Sequence, residues 1–404
     1  MSRVPLKHLV DVNQRSLAED TDPDQLIHYI DIGSVGTGLL VDDPKAMPFG
    51  EAPSRARRLV REGDTIVSTV RTYLRAVWPV RERAEQLVVS TGFAVLTPRP
   101  ELDPRYLGWM AQSDPFVDAI VARSVGVSYP AINPTEIGEL RVDLPSLGAQ
   151  RAIADYLDTE TTRIDALVTK KQSLLAKLEE RARVRADKLL LGGGSSESLP
   201  PGWTWVPTRR LCPQITVGVV VDPSSYFVDD GVPFIHGTDI RRGWINESDF
   251  KHLSSESNAL LRKSQVRAGD VLAMRVGEPG RSSVVPPYLD GANCASVLIF
   301  RRSDALESEI LSAFLNGKVG RSQIEAVQYG AAQGVLNVSD ALDLLVPVPP
   351  REAQSNIVRE LRRNEDGRAR ARRLLDAQVA LLREHRQALI TAAVTGELEI
   401  AGVE

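Results

Sequence analysis

Arg71-Thr72-Tyr73-Leu74-Arg75 places two guanidiniums, a hydroxyl and a phenol within five residues, directly after a β-rich run. Such groups reach base edges and phosphate oxygens of a nucleic acid. Arg275-Val-Gly-Glu-Pro-Gly-Arg281 follows a second β-rich run and offers two more guanidiniums. Both segments lie just after a Gly-Asp turn, Arg61-Glu-Gly-Asp64 and Arg267-Ala-Gly-Asp270, so they are expected in corresponding places. A further pair of loops, Ser124 to Tyr129 and Gln328 to Gly334, carries glycines that permit close backbone approach, with Ser128, Tyr129 and Gln333 able to supply polar contacts. Arg55, Arg57 and Arg58, together with Arg241 and Arg242 beside Trp244, are candidate phosphate clamps. For any one of these residues the competing reading is an ordinary arginine on a solvated turn.

Motifs for catalysis are missing from the sequence. Gly317-Lys318 is followed by Val319 and preceded at the first glycine position by Ser312, so no phosphate-binding loop exists and ATP-driven activity is not expected. Asn133-Pro134-Thr135-Glu136 lacks the second proline and the aromatic with which an adenine methyltransferase holds a flipped base. Asn337-Val338-Ser339-Asp340 lacks proline altogether. Both read instead as helix N-caps, an asparagine with an acidic residue three positions on. His8, His28, His236, His252 and His385 are scattered, and Cys212 and Cys294 have no ligand-spaced neighbours, so neither a metal site nor a disulfide framework is expected. Gly33-Ser-Val-Gly36-Thr-Gly38 follows a strand-like HYIDI but lacks the dinucleotide-binding order, and reads as a surface loop.

The elements that must position these residues occur twice. Tyr129 to Asp158 and Gln333 to Arg362 align without a gap, 204 residues apart, with eight identities in thirty columns. Composition alone gives about two. A period this long means duplicated domains rather than a solenoid. Each copy runs into a heptad stripe: Leu157, Thr161, Ile164, Val168, Lys171, Leu175, Leu178, Ala182, Arg185 and Leu189, then Leu361, Glu365, Arg368, Arg372, Leu375, Val379, Leu382, Arg386, Leu389 and Ala393. The apolar members are expected to pair the two helices with each other. Two separate homodimeric coiled coils are the alternative, and the polar stretch Glu365 to Arg372 is expected to be a poor seam, solvated or facing a partner. The first helix should end at Gly192-Gly-Gly-Ser-Ser196, a glycine cap followed by a flexible linker. Pro104 to Ala122 and Ala305 to Gln328 look helical, and Trp203 and Trp205 look like anchors for the start of the second half.

The chain has 404 residues and a net charge of -4, with 43% hydrophobic and 25% charged residues, an ordinary globular composition. Residues 1–145 carry 16 Lys+Arg against 20 Asp+Glu, and 146–191 carry 9 against 7. Residues 192–348 carry 14 against 17, and 349–404 carry 10 against 9. Neither globular half is a bulk polycation, so nucleic-acid affinity has to come from local clusters or from a partner. No apolar run approaches the roughly 20 residues that span a bilayer, and MSRVPLKHLVDVNQRS has no hydrophobic signal core, so a cytoplasmic protein is expected.

The order YIDIGSV, REGDTIVSTVRTYLRAVWPV, STGFAVLTP, YPAINPTEIGELRVDLPSLGAQRAIADYLDTETTRIDAL, LPPGWTW, VPFIHGTDIRRGWI, RAGDVLAMRVGEPGR and HRQALITAAVTGELE resembles the specificity subunit of a type I restriction-modification system. The resemblance spans nearly the whole chain. It implies an α+β fold of two globular mixed α/β target-recognition domains alternating with two long antiparallel coiled-coil helices, pseudo-twofold from tandem duplication. The expected divisions are 1–145 and 193–348 for the recognition domains and 146–192 and 349–404 for the helices. It implies a non-catalytic subunit that binds double-stranded DNA, each domain reading one half of a bipartite asymmetric target. Two modification subunits would carry S-adenosylmethionine, and restriction subunits would use ATP and Mg, with no cofactor on this chain. A helix of about 40 residues is ~60 Å long against ~34 Å for a DNA turn, which predicts two short blocks with a fixed unread gap. A stand-alone modification enzyme and a protein-binding coiled-coil scaffold are the alternatives.

Overall fold

A computed structural model describes residues 3–81, 86–220, 222–248, 250–328 and 334–403. The chain packs into two units. The first comprises Met1–Lys171 and Ala377–Glu404, the second Gln172–Asp376. Each unit therefore holds one globular domain together with one end of each long helix.

In the first unit an antiparallel sheet has the order Val10–Val12, Phe93–Pro98, Thr65–Ser68, Val77–Pro79. A second sheet has the order Lys45–Pro48, Leu26–Ile30, Leu87–Ser90, Ala56–Leu59, with Leu26–Ile30 parallel to Leu87–Ser90. Thr65–Ser68, Leu87–Ser90 and the first five residues of Phe93–Pro98 are buried without interruption, so these strands have core on both faces and show apolar runs rather than alternation.

The second unit repeats this plan. One sheet runs Ile215–Val217, Val297–Phe300, Val271–Met274, Ser282–Val284. The other runs Phe227–Val228, Lys251–Leu253, Val232–His236, Asn293–Ala295, again with a parallel pair, Val232–His236 and Asn293–Ala295. The strand Ala56–Leu59 of the first copy shrinks here to a single bridge, Gln265 to Asn293. The hairpin Ile240–Arg241 with Trp244–Ile245 is a single bridge in the first copy, Val35 to Leu40.

Both expected N-caps form. Asn133 Oδ1 accepts from Thr135 N at 3.1 Å while Glu136 accepts from Asn133 N at 3.1 Å, and Asp340 accepts from Asn337 N at 3.3 Å. The two helical stretches differ from expectation, because each is broken in two. Pro104–Met110 gives way to Asp114–Val121, where Pro115 cannot donate and Ser113 is extended. Ser308–Asn316 gives way to Lys318–Gln328 at Gly317, which is also extended.

The long helices are Leu147–Leu190 and Arg351–Thr395. Within the first unit Lys171 Nζ donates to Gln378 Oε1 at 2.6 Å and Arg386 pairs with Asp165 at 3.2 Å. Within the second, Glu179 pairs with Arg372 at 2.9 Å, Asn364 donates to the Ala182 carbonyl at 2.7 Å, and Arg185 pairs with Glu360 at 2.9 Å. The partner number falls as the first helix advances, so the helices are antiparallel and each satisfies its stripe against the other within one chain. Leu157, Ile164, Leu361 and Leu375 are buried. Val168, Leu175, Leu178, Leu189, Val379, Leu382 and Leu389 are half-buried.

The polar stretch is solvated in part, with Asp366, Gly367, Arg370 and Arg372 exposed, but Arg368 is not. Arg368, only 13% exposed in its side chain, pairs with Glu365 and donates to the Arg242 carbonyl at 3.1 Å, and lies 3.9 Å from Glu179. The first helix ends as a cap at Gly192 and Gly193, both at positive φ. Gly193 N donates to the Lys188 carbonyl at 2.9 Å. A Cβ on Gly192 would stand 2.7 Å from the Trp203 ring, so the glycine segment is a packed turn rather than a free linker. Trp203 packs on the second core, and Trp205 lies in the strand Thr204–Pro207, paired to Leu345–Val348.

Sequence reading overlooked the residues that fix each helix to its domain. Gln150 is fully buried: Oε1 accepts from Asp103 N at 2.7 Å, and Nε2 donates to the carbonyls of Pro145 and Glu101 at 2.9 and 3.1 Å. Gln354 does the same with Glu307 N, Pro349 and Ala305 at 3.1, 3.3 and 3.0 Å. Their identity between the copies was the available signal.

Candidate nucleic-acid interface

In the first domain the strand Thr65–Ser68 runs through a bridge between Val70 and Ala131 to Arg71, whose backbone is left-handed at φ 52°. Arg71 N donates to the Pro130 carbonyl at 2.7 Å, tying this turn to the loop Ser124 to Tyr129. Buried Thr72 adds a 2.7 Å hydrogen bond between its Oγ1 and Ser124 Oγ. The Arg71 guanidinium lies 4.4 Å from the centroid of the Tyr129 ring, within cation–π range. Tyr73, Leu74, Val125 and Tyr129 are exposed, Val127 completely so, and Ser128 is exposed beside it. Arg75 returns the chain, also left-handed at φ 56°, and its guanidinium is held by Asp114 and by the Gln112 carbonyl at 3.3 Å. Of the two arginines in this segment, Arg71 alone keeps its donors open.

The clamp residues Arg55, Arg57 and Arg58 lie on or beside the strand Ala56–Leu59, in the other sheet. Arg55 is exposed, and Arg57 lies 4.7 Å from the centroid of the Phe49 ring. Arg58 is half-buried, its Nε has no hydrogen-bond partner among the described residues, and burial pulls its guanidinium below the usual range.

In the second domain Arg275 is turned inward. Its carbonyl accepts from Leu336 N at 2.9 Å, and its guanidinium reaches the Leu336 carbonyl and Asn337 Oδ1, each at 3.4 Å. Arg242 and Arg281 share Glu278, at 3.6 and 3.4 Å. Burial is the main cause that lowers the Arg242 guanidinium, helped by the nearby Arg321. Arg241 donates to the Thr238 and Ile240 carbonyls. These three arginines line a cleft of about 1380 Å³ with Arg321, Glu179, Arg368 and Arg372, so they face the long helices of their own unit. Gln333 lies outside the described residues.

The expected correspondence of arginines does not hold. The bridges Val70 to Ala131 and Val276 to Val335 superimpose the two turns, which sets Arg71 against Gly277 and Arg275 against Thr69. Val67 faces Val77 while Ala273 faces Ser282, so the second turn is one residue shorter and Arg75 falls on Gly280. Gly277 and Gly280 have φ of 87° and 85°. The duplication preserved two left-handed backbone positions and left their side chains free to differ. The offset of 206 that joins Asp64 to Asp270 already carries Arg71 onto Gly277, which was the signal to use.

Those two aspartates are structural. Asp64 and Asp270 are each 1% exposed. Asp64 pairs with Arg15 and accepts from Thr97 Oγ1 at 2.7 Å, and Asp270 pairs with Arg301 at 2.6 Å. Cys212 and Cys294 are buried free thiols, and burial pushes Cys212 up to about 12. Among the described residues no group of His, Cys, Asp and Glu could hold a metal ion, and no helix is long and apolar enough to cross a membrane.

Two mixed domains, each closed by one end of each long helix, form an architecture shared with a chain solved in work on complex assembly and conformational transition of the type I R-M system, with a TM-score of 0.70 at 24% identity over 98% of both chains. In sequence the chain is similar to the EcoBI type I restriction enzyme specificity subunit of Escherichia coli, 23% identical over 70% of this chain and 64% of that protein. It is also similar to the EcoKI specificity subunit of Escherichia coli strain K12, 21% identical over 75% and 68%. The aligned region thus spans about two thirds of the length of these relatives. No protein-family model matches. The resemblance read from the sequence is therefore found both in curated relatives and in fold.

Proposed function

We propose that this chain is the DNA-sequence-reading subunit of a type I restriction-modification complex. Each recognition domain reads one block of a split, asymmetric target, and the helix pair fixes the gap between blocks and docks two modification subunits. Those subunits carry S-adenosylmethionine and methylate adenine, while ATP and Mg serve restriction subunits. This chain contributes no catalytic step. The observation that carries the reading is the repetition of one two-sheet domain, each copy packed with segments of both long helices, with the side chains of the matching turns diverged. A reader of two different blocks needs a common frame and different contacts. The near-neutral domains suit a subunit whose DNA affinity is completed by its partners.

The test is coexpression with a modification subunit, followed by mapping of methylated adenines in the host genome by single-molecule sequencing. One split motif with an adenine modified on each strand is expected. A stable complex that methylates nothing, or an unsplit motif, overturns the reading.

A further inference from the structure

We propose that Arg71, held over Tyr129, reads a guanine in the major groove within the block recognised by the first domain. This rests on the DNA-reading function proposed above and assigns it a base and a residue. Three observations converge on it. The guanidinium lies 4.4 Å from the Tyr129 ring centroid and its N–H donors are unused: Arg71 makes no side-chain hydrogen bond or ion pair among the described residues. Arg75, Arg275 and Arg281 are by contrast engaged by Asp114, Asn337 and Glu278.

The second observation is the backbone. Arg71 occupies a left-handed conformation at φ 52° where the other copy has Gly277. A non-glycine residue there is strained, and such strain persists where the side chain is needed. The third is the setting. Val125 and Val127, 80% and fully exposed, project beside the pair on a loop anchored by the Arg71 N to Pro130 carbonyl bond. An apolar tip suits contact with thymine methyl groups on a groove floor and not the phosphate backbone. Two coplanar donors match the O6 and N7 acceptors that guanine alone presents together in the major groove.

Arg71→Gly is the discriminating variant, because glycine is what the second copy uses at this position and its backbone suits the turn. In the coexpressed complex, methylome mapping should show one guanine of one block relaxed to other bases, with the second block and the gap unchanged. Preference for that guanine should fall roughly 5- to 150-fold. Arg71→Lys, which keeps charge without the planar fork, should relax the same position, and Tyr129→Ala should relax it less. A thermal melt no lower than wild type shows that folding is not the cause.

An unchanged motif with Arg71→Gly, or an equal loss at every methylated site as for a phosphate contact, overturns the assignment while leaving the wild-type split motif intact. If the wild-type complex yields no split motif, the functional reading falls and the assignment with it.

Discussion

The two globular domains share the strand order of the first sheet, the parallel pair in the second sheet, the buried turn aspartate, the N-cap and the glutamine at the helix start. They differ at one edge of the second sheet and in the turns after Thr65–Ser68 and Val271–Met274. The first domain has Arg71 and Arg75 at two left-handed positions, and the second has Gly277 and Gly280. The second spends its arginines on the cleft beside its helices. Backbone geometry is thus the conserved quantity and side-chain chemistry the variable one, which is how one duplicated frame can present two unlike surfaces.

The largest expected effect comes from separating the halves. Exchanging residues 1–145 for the same region of a relative should replace one block of the methylated motif and leave the other, as read by genome-wide adenine mapping; a change in both blocks breaks the equivalence of the copies. Next are the shared glutamines. Gln150→Ala and Gln354→Ala each strand one buried and one part-buried carbonyl and a backbone N–H, and each should cost about 1–3 kcal/mol in chemical denaturation. A large loss at one site only would show that the two helix starts are not the same joint. Smallest is the turn itself: Gly277→Ala should lose about 1 kcal/mol in the same assay, because it imposes a left-handed alanine. No loss would mean that the second turn tolerates the side chains that the first one carries.

Legibility in the sequence followed the range of the interactions. The helices, their ends and both N-caps depend on neighbours within a turn or a heptad, and periodicity displayed them. The duplication let one copy support the other, so two like domains and the pairing of their helical stripes were readable, while the antiparallel sense came with the family resemblance. The breaks at Ser113-Asp114-Pro115 and Gly317 needed only local attention to a proline and a glycine.

The surface was harder. Arg71 meets Tyr129 because a strand bridge and a backbone hydrogen bond close a long loop, and nothing near Arg71 in sequence announces its partner. Arg75 looks as available as Arg71 until Asp114 is brought beside it. Matching arginine to arginine between the copies failed because the residue type drifted while the φ angles stayed. In the charged stretch Glu365 to Arg372 the one member not legible as text is Arg368, which meets Glu365 on its own helix and a backbone carbonyl of the domain, while Arg372 crosses to Glu179.

The core of the first domain is closed by Ile390, Ala393 and Val394, packed with Ile153, Ala154 and Leu157. On the ribosome this reverses the usual order, in which domains fold as they emerge. The half made first waits for the last helix, and the half made second can close its own core sooner. Until that helix arrives, the nascent first domain carries an uncovered apolar floor.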